Sequence, residues 1–218
     1  MTRIKLLVEG QTEEVFVREL LQPHYARMGL YMTPIIVSTS PGQKGGMTSY
    51  AKVRPQIQRL CLQDTEAWIT TMFDLYALPT DFPGKSLAVQ GSGQQKAQYL
   101  EQQMAADIPL RNFLPYVQVH EFEALLFSQA EKFSEWTDNQ NTVAGLISVA
   151  KAHASPEDIN DSPQTAPSKR VEAAMPAYQK TFHGPLIACE IGLDVMRGAC
   201  PHFNEWLISM EGLVGQAD

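Results

Sequence analysis

Acidic side chains follow the ends of apolar runs in this 218-residue sequence. The run IKLLV leads to Glu9, AWITTMF to Asp74, and FLPYVQV to His120 and Glu121. Carboxylates gathered in one place repel one another and are costly to keep ionised unless a cation neutralises them. Mg²⁺ or Mn²⁺ meets that need, because a hard divalent ion takes carboxylate oxygens and bridges to substrate phosphate. The pattern therefore indicates a site for a divalent metal ion.

Other polar residues near these ends have a functional and a structural interpretation. Glu13 and Glu14 fall in the first turn of a predicted helix, where the helix dipole favours acids. Asp81, in DFPG, is a candidate ligand that could instead initiate a turn. Glu123 could supply a metal ligand or simply open a helix, and His120 could be a ligand, a proton shuttle or a structural histidine at a strand end. These alternatives stay open at this stage.

The carboxylates are positioned by alternating strands and helices. Apolar runs predict strands at residues 4–8, 33–38, 67–74 and 113–120. Helical spacing predicts helices at residues 12–28, 53–61 and 94–107. Four such alternations indicate an α/β fold with a parallel sheet, right-handed crossovers and helices on both faces. In these sheets functional residues collect beyond the carboxyl ends of the strands, which is where the acids lie.

Strand signals fade after about residue 128. We therefore predict an α/β domain at residues 1–128 and a mostly helical extension, residues 129–218, packed on it. The hydrophobic content of 44% is ample for a core. No apolar run approaches the roughly 20 residues of a membrane span, and the N-terminus lacks the apolar region of a signal peptide, so we expect a cytoplasmic protein.

Charge and cysteine content exclude some classes of protein. Three widely spaced cysteines suggest neither a disulfide framework nor a zinc site. A net charge of −7 is opposite to that of a protein that holds nucleic acid by phosphate neutralisation alone. If the chain acts on a polyanion, cations or a partner must help it.

Several strings resemble a known family. VEGQTEE after the first strand, with an Asp ending the third, resembles the Rossmann-like TOPRIM fold of topoisomerases, primases and the OLD (overcoming lysogenization defect) and RloB-like nucleases. More closely, the chain resembles DUF4276, a bacterial TOPRIM-like family of unknown function. The strings that carry this resemblance span almost the whole chain: VEGQTEE, FDLYALPTDFPG, VHEFEALLF, TAPSKR, GPLIACEIGL and CPHFNEWL.

The resemblance implies roles for individual residues. It makes Glu9 a metal ligand or general acid–base, places Glu13 beside it, and makes Asp74 the first acid of the usual Asp-x-Asp motif. The second acid is replaced by Tyr76, so a replacement ligand would come from Asp81 or the acids of HEFE. A lysine near the scissile phosphate is also implied. The full set of candidate metal ligands is Glu9, Glu13, Asp74, Asp81, Glu121 and Glu123, and the candidate phosphate contacts are Lys169, Arg170 and His120.

The resemblance further implies a Mg²⁺- or Mn²⁺-dependent nuclease, or a related enzyme acting on DNA or RNA, that serves in phage defence beside an AAA- or ABC-type ATPase. Lys169 has an alternative, which is to pair with nearby acids as an exposed lysine. The function of the whole chain also has an alternative, which is a non-catalytic effector module that binds metal or nucleotide. Tyr76 favours this alternative. The sequence leaves the oligomeric state open, a homo-oligomer included.

Overall fold

The computed structural model describes residues 1–40, 43–44, 46–87, 90–159 and 164–214. Its strands are β1 (Thr2–Val8), β2 (Leu30–Ile36), β3 (Ser38–Ser40), β4 (Gln43–Lys44), β5 (Ala67–Asp74), β6 (Phe113–Leu114) and β7 (Val117–Gln118). Its α-helices are α1 (Gln11–Phe16), α2 (Gln22–Ala26), α3 (Tyr50–Gln63), α4 (Gly93–Asp107), α5 (Gln140–Lys151), α6 (Pro167–Ala174), α7 (Lys180–Ile191), α8 (Leu193–Ala199) and α9 (Pro201–Glu211). A π-helical segment, Val17–Leu21, joins α1 to α2, and 3-10 segments cover Phe122–Glu135 and Pro156–Asp158.

The central sheet is parallel, as predicted. Its order is β2-β1-β5, with β6 and then β7 pairing along the outer side of β5. The predicted strand 67–74 is confirmed without a shift, and 4–8 lies inside β1. The predicted strand 33–38 overlaps β2, which begins earlier and ends at Ile36. Because the strands run the same way, β1, β5 and β7 all end at one edge of the sheet.

Helices cover both faces of this sheet. Along β1, Ile4, Leu6 and Val8 join the core on one face, which also contains side chains of α1, α7 and α9. Leu7 points the other way, into a second core shared with α3 and α4. The first core contains residues from before and after residue 128, so the helical part packs directly on the sheet. The division at residue 128 itself stays a prediction.

The predicted helices are confirmed with small shifts of their ends. Residues 12–28 correspond to the continuous helical stretch from α1 to α2, and 53–61 lies inside α3. Residues 94–107 correspond to α4. The described chain beyond residue 118 contains helices and no strand, which agrees with the helical C-terminal part. Within the described ranges, no helix is both long and apolar enough to cross a membrane.

The predicted strand 113–120 is interrupted. It forms β6 and β7 in the same register against β5, with Ile69 opposite Phe113 and Phe73 opposite Val117. Pro115 lies between them and has no N–H for a ladder bond. The Thr71 hydroxyl fills the gap, since Oγ1 accepts from Tyr116 N and donates to Tyr116 O, both at 2.8 Å. This one side chain therefore keeps the end of the strand in register beside Asp74.

Thr71→Val tests this bridge. Valine has nearly the same shape but leaves both main-chain groups of Tyr116 unsatisfied in a buried place, so we expect a loss of about 1–3 kcal/mol in the free energy of unfolding. Thr71→Ser keeps the hydroxyl and is the matched control, with a much smaller loss. Denaturant melts of the three proteins give the comparison. Equal losses for the valine and serine variants would contradict the role of the hydroxyl.

Candidate metal and phosphoryl-transfer site

Glu9 and Asp74 meet at the carboxyl edge of the sheet. β1 and β5 are neighbours in parallel register up to the pair Val8 and Met72, so the next residues of both strands emerge side by side. The Glu9 carboxylate accepts a hydrogen bond from the Asp74 main-chain N–H, with Oε1 at 2.8 Å. Asp74 Oδ1 accepts in turn from the N–H of Phe122, at 3.1 Å. The predicted proximity of the two acids therefore follows from strand pairing.

Glu13 lies next to this pair and also caps its own helix. Gly10 is the N-cap of α1, and its N–H donates to Glu13 Oε2 at 2.9 Å. Only 7% of Glu13 is exposed. Its charge nevertheless contributes to raising the pKa values of Glu9 and Asp74, so it is close to both carboxylates. Glu13 thus has the structural role that its position in the first turn indicates and belongs to the acidic cluster as well.

Glu121 and Glu123 complete the cluster from the segment after β7. The Glu121 oxygens accept from the main-chain N–H and the hydroxyl of Ser168, at 2.7 and 2.9 Å. Since Ser168 lies in the first turn of α6, this carboxylate fixes the start of that helix. Glu123 is almost fully buried and accepts from the Tyr178 hydroxyl at 3.4 Å. We define the acidic cluster as Glu9, Glu13, Asp74, Glu121 and Glu123.

Lys180 is the cation that contacts the cluster. Its ammonium lies 3.2 Å from Glu123 Oε1 and 3.6 Å from Glu121 Oε2. Among the described residues no other lysine or arginine forms an ion pair with a member of the cluster. Sequence analysis missed Lys180, because it stands outside the strings that carry the family resemblance and begins a helix more than fifty residues after Glu123.

Burial and mutual repulsion weaken the acids of the cluster. Burial raises the pKa of Glu9 to about 7, and the charge of Glu13 adds to the effect. Burial also raises the pKa of Glu123 to about 7, against the opposing pull of Lys180. The pKa of Asp74 is raised by burial first and then by the charges of the other four acids. The site therefore favours a proton or another cation over unneutralised charge.

The donor chemistry suits a hard divalent ion, although no complete cage is present. Among the described residues, no three His, Cys, Asp or Glu side chains are arranged to hold one metal ion. Mg²⁺ does not need such a cage, since it usually takes one or two carboxylates and fills its other positions with water and phosphate. Asp74 Oδ2 makes no hydrogen bond to the part of the chain that the structure describes. Glu9 and Asp74 can therefore supply the one or two carboxylates that such a site takes from the protein.

Asp81 lies apart from the cluster and caps a helix. Its carboxylate accepts from Ser49 Oγ at 2.7 Å and from the N–H groups of Tyr50 and Ala51 at 2.9 and 3.1 Å. These are the first residues of α3, so Asp81 acts as its N-cap from a distant loop. The hydrogen bonds lower the pKa of Asp81, whereas the pKa values of Glu9 and Asp74 are raised. The structure supports the structural alternative for this residue.

His120 occupies a constrained position between β7 and Glu121. Its backbone is left-handed, with φ of 62°, which is unusual for a residue with a side chain. Nε2 lies 2.7 Å from the Glu157 carbonyl oxygen, and because a carbonyl only accepts, Nε2 carries a proton. Burial lowers the pKa of His120, so the neutral ring predominates at neutral pH. These contacts support the structural alternative over a ligand.

Within the described residues, neither Lys169 nor Arg170 forms an ion pair or a hydrogen bond with a member of the acidic cluster. Lys169 is exposed on α6 and pairs with Glu172, with Nζ 2.7 Å from Oε2. Arg170 Nε donates to the carbonyl oxygen of Thr165 at 2.7 Å. It is Ser168, one residue before Lys169, that reaches Glu121. The predicted roles of both basic residues in phosphate binding stay predictions.

The raised pKa of Glu9 makes the stability of the metal-free protein depend on pH. Since the folded pKa of about 7 lies above the ordinary glutamate value of 4.5, the folded state binds more protons between these values, and stability falls as pH rises through this window. Glu9→Gln removes the effect. The free energy of unfolding of the variant minus that of the wild type should therefore increase by on the order of 3 kcal/mol from pH 4.5 to pH 7.5.

Denaturant melts in a chelating buffer across this range measure the difference. Asp81→Asn is the matched control, because a lowered pKa places the contribution of that carboxylate at acid pH, where stability is lost as pH falls through the folded value. Its difference from the wild type should stay flat between pH 5 and 7.5. Parallel profiles for Glu9→Gln and the wild type would contradict the raised pKa of Glu9.

Comparison with known proteins gives the family. The model of the family described as "Domain of unknown function (DUF4276)" matches residues 8–211. No curated protein matches the chain at a significant level. Two solved structures of the C-terminal region of the Xanthomonas campestris pv. campestris OLD protein resemble it at 14% and 13% identity, with TM-scores of 0.42 and 0.38. Each covers 96% of this chain and 98% of its own. The chain belongs to the DUF4276 family.

Proposed function

We propose that this protein is a Mg²⁺- or Mn²⁺-dependent nuclease, or a related phosphoryl-transfer enzyme, that acts on nucleic acid. The observation that carries the proposal is the acidic cluster. Five carboxylates meet at the carboxyl edge of a parallel sheet, where such folds place their functional sites. Their burial raises the pKa values of Glu9, Asp74 and Glu123, and Lys180 alone does not balance their charge. A divalent ion would do so.

The ion-binding residues in this proposal are Glu9 and Asp74, with Glu13 beside them. One oxygen of each carboxylate is fixed by a main-chain N–H, which orients the group before any ion arrives. When bound, the ion supplies positive charge against the developing charge of the phosphate and makes water a stronger acid.

Lys180 is the residue to which we assign contact with the substrate phosphate. Glu121 and Glu123 hold its ammonium beside Asp74, whose charge contributes to raising the pKa of Lys180. A cation fixed in this way can stabilise charge on a phosphate without rearranging during the reaction. Lys169, the candidate from the sequence, is exposed and paired with Glu172. We therefore prefer Lys180 to Lys169 for this role.

The partner is also part of the proposal. With a net charge of −7, the chain lacks the overall basic character of a protein that binds nucleic acid by itself. The resemblance to TOPRIM nucleases that work beside AAA- or ABC-type ATPases suggests where basic surface would come from, and we propose on the same ground a role in phage defence in the cytoplasm. Purification together with the neighbouring ATPase would test this dependence directly.

A second candidate function is supported by Tyr76. This residue stands where the usual motif has its second acid, and its ring stacks on His120 with centroids 5.6 Å apart. Together with the incomplete cage, this favours an effector module that binds metal or nucleotide without chemistry. Two measurements separate the functions, namely calorimetry of Mn²⁺ binding and an assay for the products of phosphodiester cleavage. The effector would bind the ion and release no product.

Variants of Asp74, Lys180 and Lys169 test the roles proposed for them. Asp74→Asn should abolish cleavage and weaken Mn²⁺ binding, because a main ligand is lost. Lys180→Met should reduce cleavage about 10²- to 10³-fold, as expected when a fixed charge-stabilising group is removed. Its Mn²⁺ affinity should be retained or increased, since a competing cation is gone. Lys169→Met should change cleavage less than about threefold, because an exposed ion pair contributes little.

The assay uses single- and double-stranded DNA, RNA and transfer RNA with Mg²⁺ or Mn²⁺, with and without the neighbouring ATPase. Asp81→Asn is the control for an acid outside the cluster and should cleave like the wild type. A large loss with Lys169→Met and none with Lys180→Met would return the phosphate role to Lys169. If no condition gives cleavage by the wild type, the nuclease proposal fails and the effector function replaces it.

A further inference from the structure

A cleft of about 420 Å³ opens beside the acidic cluster. One wall is formed by Leu75 and Tyr76, which follow Asp74 directly, and by His120, which precedes Glu121. The start of α4 with Lys96, together with Lys85, also lines the cleft. Leu75, Tyr76 and His120 thus continue directly from the strand ends that carry the acids. A ligand in this cleft would extend towards Asp74.

Two lysines give the cleft positive charge. Lys85 is half-buried, and its ammonium donates to the Leu78 carbonyl oxygen, which leaves two further N–H donors. Lys96 is exposed in the first turn of α4. Neither forms an ion pair in the part of the chain that the structure describes. The charge of Glu9 also acts on Lys85, but its half-buried ammonium keeps donors whose hydrogen bonds an anionic ligand would complete.

The start of α4 adds main-chain donors to the cleft. The capping box of Ser92 and Gln95 satisfies the N–H groups of these two residues. The first helical hydrogen bond runs from Lys96 N to Ser92 O, so the N–H groups of Gly93 and Gln94 precede it. A side chain at Gly93 would contact His120, with a Cβ only 2.9 Å from Cε1, so glycine lets the turn lie against the histidine. Such N–H groups at a helix start favour phosphate.

Tyr76 gives the cleft an aromatic surface. The His120 ring supports the Tyr76 ring from one side in a stacked arrangement, and 37% of Tyr76 is exposed.

The acids of the cleft do not oppose an anion equally. Glu157 directs its carboxylate to the N–H groups of His202 and Phe203, at 3.0 and 2.9 Å, and so caps α9. Asp158 is exposed at the rim, where it can accept from a sugar hydroxyl or a base amino group.

We propose that this cleft holds one unpaired nucleotide of a single-stranded nucleic acid. Its phosphate would lie between Lys85, Lys96 and the start of α4, and its base would stack on Tyr76. The volume is within the roughly 300–1,000 Å³ of small-ligand sites and offers room for one nucleotide. A base in a duplex is already stacked between its neighbours and cannot reach Tyr76, so the cleft selects single strands. This inference rests on the proposed function and names the substrate of that site.

Binding without divalent ions tests the cleft separately from cleavage. A fluorescently labelled 12-nucleotide strand, as DNA and as RNA, is titrated with the full chain in a chelating buffer at low salt, alone and annealed to its complement. The single strand should bind at least about fivefold more tightly than the duplex, and Tyr76→Ala should weaken it by a similar factor. Tyr76→Phe keeps the stacking surface and should bind within about twofold of the wild type.

Lys96→Gln and Lys52→Gln form a matched pair, because both lysines are exposed in the first turn of a long helix and only Lys96 lines the cleft. Lys96→Gln should lower the slope of log affinity against log salt by about 0.7, the value for one phosphate contact on a single strand. Lys52→Gln should leave the slope unchanged. Because Lys96 is exposed, its substitution should not affect folding. The comparison of the two lysine variants therefore remains valid even if Tyr76→Ala fails to fold.

Any of three results would overturn the inference. The affinities for strand and duplex could be equal, or the salt slopes of Lys96→Gln and Lys52→Gln could be equal. An unlabelled nucleoside monophosphate could also compete as well as the unlabelled strand. The two proposals fail in different ways. Cleft-dependent binding of single strands without cleavage in any condition would overturn the proposed function alone. Cleavage by a wild type whose binding ignores Tyr76 and Lys96 would overturn the inference about the cleft alone.

Discussion

Parallel pairing of β1 with β5 is the constraint on which the site depends. It brings the ends of two buried strands together, so Glu9 and Asp74 emerge beside one another with little freedom to separate. The hydrogen bond from Asp74 N–H to Glu9 fixes the first carboxylate, and the bond from Phe122 N–H fixes the second. Both bonds favour the charged acids, whereas burial disfavours them more strongly, which leaves their pKa values raised. The fold thus holds negative charge where it is costly.

The helical part of the chain meets that cost only in part. Ser168 donates two hydrogen bonds to Glu121, and Tyr178 and Lys180 reach Glu123. These contacts neutralise the side of the cluster that faces α6 and α7. On the other side Glu9, Glu13 and Asp74 receive main-chain N–H groups and no ion pair within the described ranges. This asymmetry separates the half of the cluster that the helices hold from the half to which we assign the ion.

Much of the fold could be predicted from sequence, and all five acids of the cluster are among the predicted candidate ligands. Buried strands read as short apolar runs, so the ends at Glu9 and Asp74 were clear, and the parallel pairing followed from the alternation with helices. The break at Pro115 was missed because its repair depends on Thr71, a residue of another strand that no local pattern marks. Lys180 was missed for the same reason, since a lysine near a short motif, such as Lys169, is visible in sequence and a lysine brought in by helix packing is not. Asp81 shows a different difficulty. An aspartate can start a turn, cap a helix or bind a metal ion, so the residue type alone does not identify its role.

Tyr76 links the two halves of the proposed substrate site. In an Asp-x-Asp motif that continued as a strand, residue 76 would lie on the same face as Asp74 and add a second carboxylate. Here β5 ends at Asp74 and the chain turns, so residue 76 lies over His120 instead. An acid in that position would lie against the neutral His120 ring rather than beside Asp74, and it would repel a phosphate held by Lys85 and Lys96. An aromatic ring there avoids that repulsion and offers a stacking surface. The loss of the second acid is therefore consistent with one ion at Glu9 and Asp74 and a nucleotide in the adjoining cleft.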